Sequence, residues 1–461
     1  MQSMRLVRPL KQLTLGLCLA CLVSPALRAQ TLPSDQTKTP PAELSRRVED
    51  LEKEVEALKA EIAALKGQGA VAPAAVAPAA PAAPAAPAAA PAAPATAVAA
   101  SPAAAPAAAP ATSSSSEVAK LLNNTSVTGF VDAYYGYNLK QPNNRTTSFR
   151  AFDAPNNQFS LNMIELIFDK APDAQGSRLG YHLSFGYGNA MNAVNSTDPG
   201  GLMFAQYLKE GYASYLAPVG KGLQIDFGKF VTPHGEEVIE SKDNWNYSRG
   251  VLFTYAIPFY HFGLRAKYAF NDKFALTGYL VNGWNSIVDN NTGKTGGVTL
   301  SWNPSKKVSI VQNYMAGPEM LNTNTHPRQL SDTVVTISPT SKLSLVVNYD
   351  YGRGDMPAGF LSPVFWTGVA GYIHYAFNDS WAWTTRYEYY DDHDGFTLAT
   401  VPSHISEVTG TLEKKIHKNL ITRLEYRFDG SNNPLFTKGS TLTDSQSTLE
   451  LGLIYVFDWK E

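Results

Sequence analysis

Leu420-Ile421-Thr422-Arg423-Leu424-Glu425-Tyr426-Arg427-Phe428 decides the fold. Leu420, Leu424, Tyr426 and Phe428 share one parity with Thr422, while Arg423, Glu425 and Arg427 share the other. Successive side chains of an extended strand point to opposite faces, so this segment has one oily side and one charged side. A soluble sandwich alternates in the same way, and the period alone does not choose between sandwich and membrane barrel. The choice comes from what lies between such stretches.

From about Ser126 to the C-terminus the pattern recurs in sixteen stretches: 126–139, 158–170, 178–189, 204–216, 222–231, 259–270, 273–284, 294–303, 306–317, 328–338, 342–353, 364–377, 380–391, 404–415, 419–429 and 446–458. Connectors after even-numbered stretches are mostly short and polar, as at Asn271-Asp272, Pro304-Ser305, Asn378-Asp379 and His417-Lys418. Those after odd-numbered stretches are longer, as at 140–157, 232–258 and 430–445. An even count, short turns at one end and long loops at the other predict an all-β fold: a closed antiparallel transmembrane barrel of about sixteen strands, with both termini at the periplasmic end. Closure removes the unpaired strand edges that lipid does not tolerate. The last stretch agrees, since Leu449, Leu451, Leu453, Tyr455, Phe457 and Trp459 share one face, and Glu450 and Gly452 the other.

The 461 residues carry a formal net charge of −2 with 17% charged side chains, which argues against bulk nucleic-acid binding. The 23 Tyr, 21 Phe and 34 Gly suit strands with interfacial aromatics and tight turns. Beyond residue 30 no run of eighteen apolar residues occurs, so no transmembrane helix is expected, and a barrel needs none.

The residues before the barrel read as separate modules. Arg5, Arg8 and Lys11, the apolar run Leu13 to Val23 and the small-residue site Ala26-Leu27-Arg28-Ala29 predict a signal peptide over 1–29. Both cysteines, Cys18 and Cys21, fall inside it, so the exported chain has no disulfide or thiol chemistry. Residues 30–42 are expected to be disordered. Leu44, Val48, Leu51, Val55, Leu58, Ile62 and Leu65 then repeat at 4-3 spacing, the seam of a coiled-coil helix over 43–66. Val and Ile at a with Leu at d lean toward a dimer, whereas Arg47-Val48-Glu49-Asp50-Leu51-Glu52 resembles a trimeric pattern; a trimer is the expectation. Residues 67–116 form an Ala/Pro/Ser-rich linker, whose roughly 40 Ala/Pro-dominated residues from Ala70 to Ala111 would span roughly 120 Å when extended. The barrel is expected from 117 to 461.

Two features further on carry a family resemblance. The first is Gly228-Lys229-Phe230-Val231-Thr232-Pro233-His234-Gly235-Glu236-Glu237 with Asn244-Trp245-Asn246-Tyr247-Ser248-Arg249 and Pro258-Phe259-Tyr260-His261-Phe262-Gly263. The second is Gly129-Phe130-Val131-Asp132-Ala133-Tyr134-Tyr135 with Val281-Asn282-Gly283-Trp284-Asn285. Together they resemble the "putative β-barrel porin type 2" (OmpL-like) family. The resemblance covers most of the barrel and none of the first 116 residues. It implies an outer-membrane channel with no catalytic residues and no cofactor.

If the apolar faces meet lipid, the lumen receives Asp132, Glu165, His182, Asp226, Arg265, Lys267, Arg386, Glu388, Arg423, Glu425, Arg427 and Glu450. Both signs occur, which suggests a water-filled pore with a transverse field rather than a strong ion filter. The connector 232–258 follows the fifth strand, where general porins place an inward-folded loop. Its Glu236, Glu237, Glu240, Lys242, Asp243 and Arg249 are expected to build a constriction whose acids face basic wall residues, with Trp245 and Tyr247 packing it. Tyr279, Trp366 and Tyr372 read either as a lumen slide for sugars or as an interfacial girdle.

No hydrolase elbow, phosphate loop or His-Glu-x-x-His motif is present. Asp391-Asp392-His393-Asp394 reads as solvated loop charge before it reads as a cation site. Passive diffusion of small solutes is the first functional reading. The alternative is an envelope anchor whose periplasmic coiled coil self-associates and contacts the cell wall.

Overall fold

A computed structural model describes residues 124–201, 205–356 and 361–459. In chain order the strands are β1 (Ser126–Asn138), β2 (Gln158–Lys170), β3 (Leu179–Tyr187), β4 (Leu208–Ala217), β5 (Leu223–Val231) and β6 (Tyr260–Asn271). They continue with β7 (Phe274–Val281), β8 (Thr295–Ser305), β9 (Val308–Pro318), β10 (Pro327–Ile337), β11 (Leu343–Gly354) and β12 (Val364–Ala376). The remainder are β13 (Trp381–Asp392), β14 (Ser403–Ile416), β15 (Leu420–Ser431), β16 (Phe436–Lys438), β17 (Thr441–Thr443) and β18 (Ser445–Trp459). Every strand except the β16–β17 hairpin joins one closed antiparallel barrel of sixteen strands.

Closure pairs β1 with β18, from Val127 opposite Trp459 to Asn138 opposite Thr448. The seven connectors after even strands are short, and both ends of the barrel strand run lie on that side. The alternation that motivated the fold is physical. On β15, Leu424 is 54% exposed while Arg423, Glu425 and Arg427 are buried. Leu449, Leu451, Leu453 and Tyr455 of β18 are likewise exposed, and Glu450 is buried. The barrel is inside-out relative to a soluble protein, as lipid outside and polar groups inside require.

Several boundaries differ from the sequence reading. Pro304 and Ser305 belong to an irregular end of β8, where pairing with β9 jumps from Trp302 to Ser305, and the turn is Lys306-Lys307. Asn282 to Trp284 leave β7 for the next connector, and residues before Leu208 stay out of β4. Asn189 begins a short helix, α1 (Asn189–Asn195), instead of ending a strand. The signal peptide, the coiled-coil seam and the linker lie outside the described residues.

Two β-bulges matter for the interior. Between β1 and β2, Asp132 pairs with Met163 but Ala133 with Leu161, leaving Asn162 as the extra residue. Between β3 and β4, Ser184 pairs with Glu210 but Phe185 with Leu208, leaving Lys209 extra. A bulge re-aims the side chain it carries. Asn162 and Lys209 are both buried and both reach carboxylates of the lumen wall, Asp132 and Glu165.

Candidate functional site

The 28-residue segment 232–259 between β5 and β6 does not stay at the rim. It contains only a 3₁₀ turn (Ser241–Asp243) and a π-helical turn (Leu252–Ala256), so few of its peptide groups bond to one another. Buried peptide groups require partners, and the barrel wall supplies them. Gly235 N–H donates to Asp332 (3.1 Å) and Glu236 N–H to the Asn348 side-chain oxygen Oδ1 (3.1 Å). Ser241 and Tyr247 hydroxyls donate to the two Asp132 oxygens at 2.6 and 2.8 Å. Tyr247 and Ser248 N–H groups donate to Glu425 at 2.6 and 3.0 Å, and Val251 N–H to Glu388.

Cations complete the clamp from the carbonyl side. Arg386 donates to Ser248 O at 2.7 Å, Arg427 to Arg249 O at 2.7 Å, and Arg423 to the carbonyls of Ser241 and Asn246. The partners sit on β1, β10, β11, β13 and β15, so the segment crosses the lumen. Tyr247 tilts against Tyr134 (centroids 5.6 Å apart) and rests on Gly452, where a Cβ would overlap its ring. Trp245 stacks on His374 at 4.8 Å.

The wall charges also hold one another. Register places Glu388 opposite Glu407 and Glu425 opposite Glu450, pairs that repel when unscreened. Arg386 bridges Glu407 (2.7 Å), Arg427 bridges Glu407 (3.0 Å) and Asp429 (2.7 Å), and Arg423 bridges Glu413 (2.8 Å). Glu425 instead accepts the peptide N–H groups of the segment and the Thr411 hydroxyl (2.6 Å). Charge-assisted bonds of this kind are the strong ones, and they fix the segment's position along β13, β14 and β15.

The residues read from sequence divide into groups. Asp132, Glu165, Asp226, Arg386, Glu388, Arg423, Glu425, Arg427 and Glu450 are all buried on the inward side. Arg265 pairs with Asp226 at 2.8 Å and stays partly exposed, and Lys267 is exposed. His182 lies between Asp169 (2.8 Å) and Glu210 (3.4 Å). Within the segment, Glu237 meets Arg386 and Glu240 meets Lys209, so two acids do face basic wall groups. The other two acids do not. Asp243 pairs with the adjacent Lys242, and Glu236 faces Glu237 and Asp332 with no cation. Burial first, and those two acids second, push the Glu236 carboxyl up to about 7. Arg249 turns back on its own segment, donating to the carbonyls of Tyr247 and Ile239.

Tyr279, Trp366 and Tyr372 are buried: Tyr279 stacks on His261 (5.7 Å), Trp366 donates to Ala256 O (3.1 Å), and Tyr372 packs near Trp245 (6.4 Å). They pack against the crossing segment and its flank and form no open slide. In the motif at 391–394, Asp392 accepts the N–H groups of Phe396 and Leu398, and Asp394 that of Phe365. Sequence reasoning missed Lys209, Asp332, Asp350 and Glu407. Lys209 is legible only through its bulge, and Asp332 sits among Leu330 and Val334, which also face inward and blur the alternation of β10.

Solved structures share this architecture. An anion-selective porin from Comamonas acidovorans matches with a TM-score of 0.50 at 9% identity, over 72% of this chain and 99% of that one. The outer membrane channel DcaP of Acinetobacter baumannii matches at 0.48 and 12% identity, over 72% and 97%. The trimer form of OmpT, an outer membrane protein of Vibrio cholerae, matches at 0.48 and 11% identity, over 72% and 99%. At 9% identity the likeness to the Comamonas acidovorans porin shows the fold alone. No curated protein matches the sequence. Residues 124–457, nearly the whole barrel, match the model of the family described as "Putative beta-barrel porin-2, OmpL-like", and the chain belongs to that family of bacterial outer-membrane porins.

Proposed function

We propose that the barrel is a passive diffusion channel for small hydrophilic solutes or ions, with residues 232–259 as its constriction. One observation carries this reading: the segment crosses the lumen, bonded to β10, β11, β13 and β15 through its own backbone and to β1 through the Ser241 and Tyr247 hydroxyls. A rim loop would have no use for buried arginines aimed at its carbonyls. The inward charges Asp132, Glu165, Asp226, Arg265, Lys267, Arg386, Glu388, Arg423, Glu425, Arg427 and Glu450 line the lumen, and those left free of the segment would act on solutes. Reconstitution in planar bilayers tests this, with reversal potentials in a salt gradient and liposome swelling by small sugars. Ohmic unitary currents are expected, and a closed barrel that conducts nothing would refute the channel.

The heptads at 43–66 support a second, compatible proposal: a periplasmic coiled coil that gathers barrels into a trimer and gives them contact with the cell wall. Both barrel ends on the short-turn side suit that placement. Chemical cross-linking of the full chain should give trimers, and the chain lacking 43–66 should lose them. Unchanged trimers in the deletion would remove the coiled coil from assembly.

A further inference from the structure

Ten arginines lie among the described residues, and nine of them have a carboxylate or carbonyl partner. Arg328, at the start of β10, has neither among the described residues. Its guanidinium instead lies over the Trp284 and Phe396 rings, each centred 5.1 Å away. No carboxylate or carbonyl among the described residues takes up the edge of the guanidinium that carries its N–H groups. That edge is the fork that matches a carboxylate in bidentate fashion.

The fork opens into a cavity. At the long-connector end, a space of about 470 Å³ is lined by Arg328 and by the rings of Tyr255, Phe259, Trp284, Trp366 and Phe396. That volume falls in the range of small-molecule sites. The remaining polar lining consists of hydroxyls and an amide, from Ser196, Thr197, Thr254, Thr397 and Asn285. No Asp or Glu lines it. The nearest carboxylate influence is Glu319, whose oxygens are engaged by Trp284 N–H (2.9 Å) and the Thr295 hydroxyl (2.6 Å). Burial pushes the Glu319 carboxyl up to about 7, which weakens it as a counter-ion for Arg328. Arg328 is only partly exposed, and the cavity lining offers its guanidinium no anion.

We propose that this external vestibule binds a small planar organic anion, an aromatic carboxylate, with its carboxylate on the Arg328 fork and its ring among the aromatic walls. Thr254, Tyr255 and Phe259 belong to the segment that crosses the lumen, so the site sits directly above the constriction. As a collecting station for solute it rests on the channel reading; as a binding site it does not.

Calorimetric titration of the full chain in detergent micelles tests it, using benzoate, the neutral isostere benzamide, and acetate. Benzoate is expected to bind at least about tenfold tighter than benzamide or acetate, and Arg328→Gln to weaken benzoate about tenfold while Arg328→Lys weakens it less. Equal affinity for benzoate and benzamide overturns the anion contact, and equal affinity for benzoate and acetate overturns the ring seat. Full benzoate affinity in Arg328→Gln overturns the role of Arg328. If that variant does not fold, the three-ligand comparison on the wild type still decides. Conductance in simple salt is recorded on the same preparation. Currents without benzoate binding sink this site and leave the channel standing; binding without currents does the reverse.

Discussion

Two arcs of the barrel wall treat charge differently. Along β13, β14, β15 and β18 the inward face carries Arg386, Glu388, Glu407, Glu413, Arg423, Glu425, Arg427, Asp429 and Glu450, all buried and most bonded to the crossing segment or to one another. Along β5 to β9 the charge is sparser: the buried Lys229, held by Asn195 and the Leu208 carbonyl, an Asp226–Arg265 pair, the exposed Lys267, and beyond them Thr277, Thr299 and Asn313. There the crossing segment makes little contact, chiefly Asn313 donating to Pro233 O at 2.9 Å and His234 against Tyr279. Near the short turns this arc borders a cavity of about 320 Å³, lined in part by Lys221, Lys267, Ser301 and Asn303. The density of charge on a wall is therefore a poor measure of what a solute meets. The rich arc is a clamp for a loop, and the sparse arc is the one left to water.

The largest expected difference comes from removing one cation on each arc. Arg386→Met strands Glu237 without its buried cation, leaves Glu407 with Arg427 alone, and should destabilise the barrel by about 3–5 kcal/mol. Arg265→Met, where the pair is partly exposed, should cost about 1 kcal/mol or less. Urea unfolding in lipid vesicles, followed by tryptophan fluorescence, measures both. Equal losses would break the distinction between clamp and open wall.

A steric pair comes next. Gly452→Val places methyl groups where the Tyr247 ring rests and should cost about 1–3 kcal/mol, with Tyr247 displaced from Asp132. Gly278→Val meets nothing within 4 Å on β7 and should change stability by about 0.5 kcal/mol at most. The same unfolding assay reads the difference.

The smallest effect is a pH dependence. Glu236 titrates about 7 when docked, against an ordinary 4.5, so the docked state holds a proton that the released carboxyl gives up between those values. Docking is then strongest below about pH 4.5, weakens as pH rises toward about 7, and levels off above it. Limited proteolysis of the segment should quicken from about pH 5 to about pH 8 in the wild type. In Glu236→Gln the rate should follow the protease's own pH profile alone; an identical pH response in that variant would remove Glu236 as the source.

Much of this was legible from residues alone. Alternation in Arg423–Phe428 and Leu449–Leu453 gave both strand and facing, because lipid selects one parity and water the other. The segment's inward fold was legible from its length and place after the fifth strand. Its bonding was not. Which wall charge addresses a peptide group depends on distances across the lumen, as with Arg427 and Arg249 O, 178 residues apart. The Lys209–Glu165 pair depends on one extra residue in a strand, which no periodicity reveals. Arg328 gave no signal in one dimension, since its two ring partners come from connectors on either side of it in sequence.

The clamped segment is proposed to set the conductance. Single-channel recording of the wild type and of a chain lacking 236–246 tests it most directly. That deletion removes Glu237, Glu240 and Ser241, and with them the contacts to Arg386, Lys209 and Asp132. A clear rise in unitary conductance above the wild-type distribution is predicted, and an unchanged conductance would mean that the segment does not limit the current.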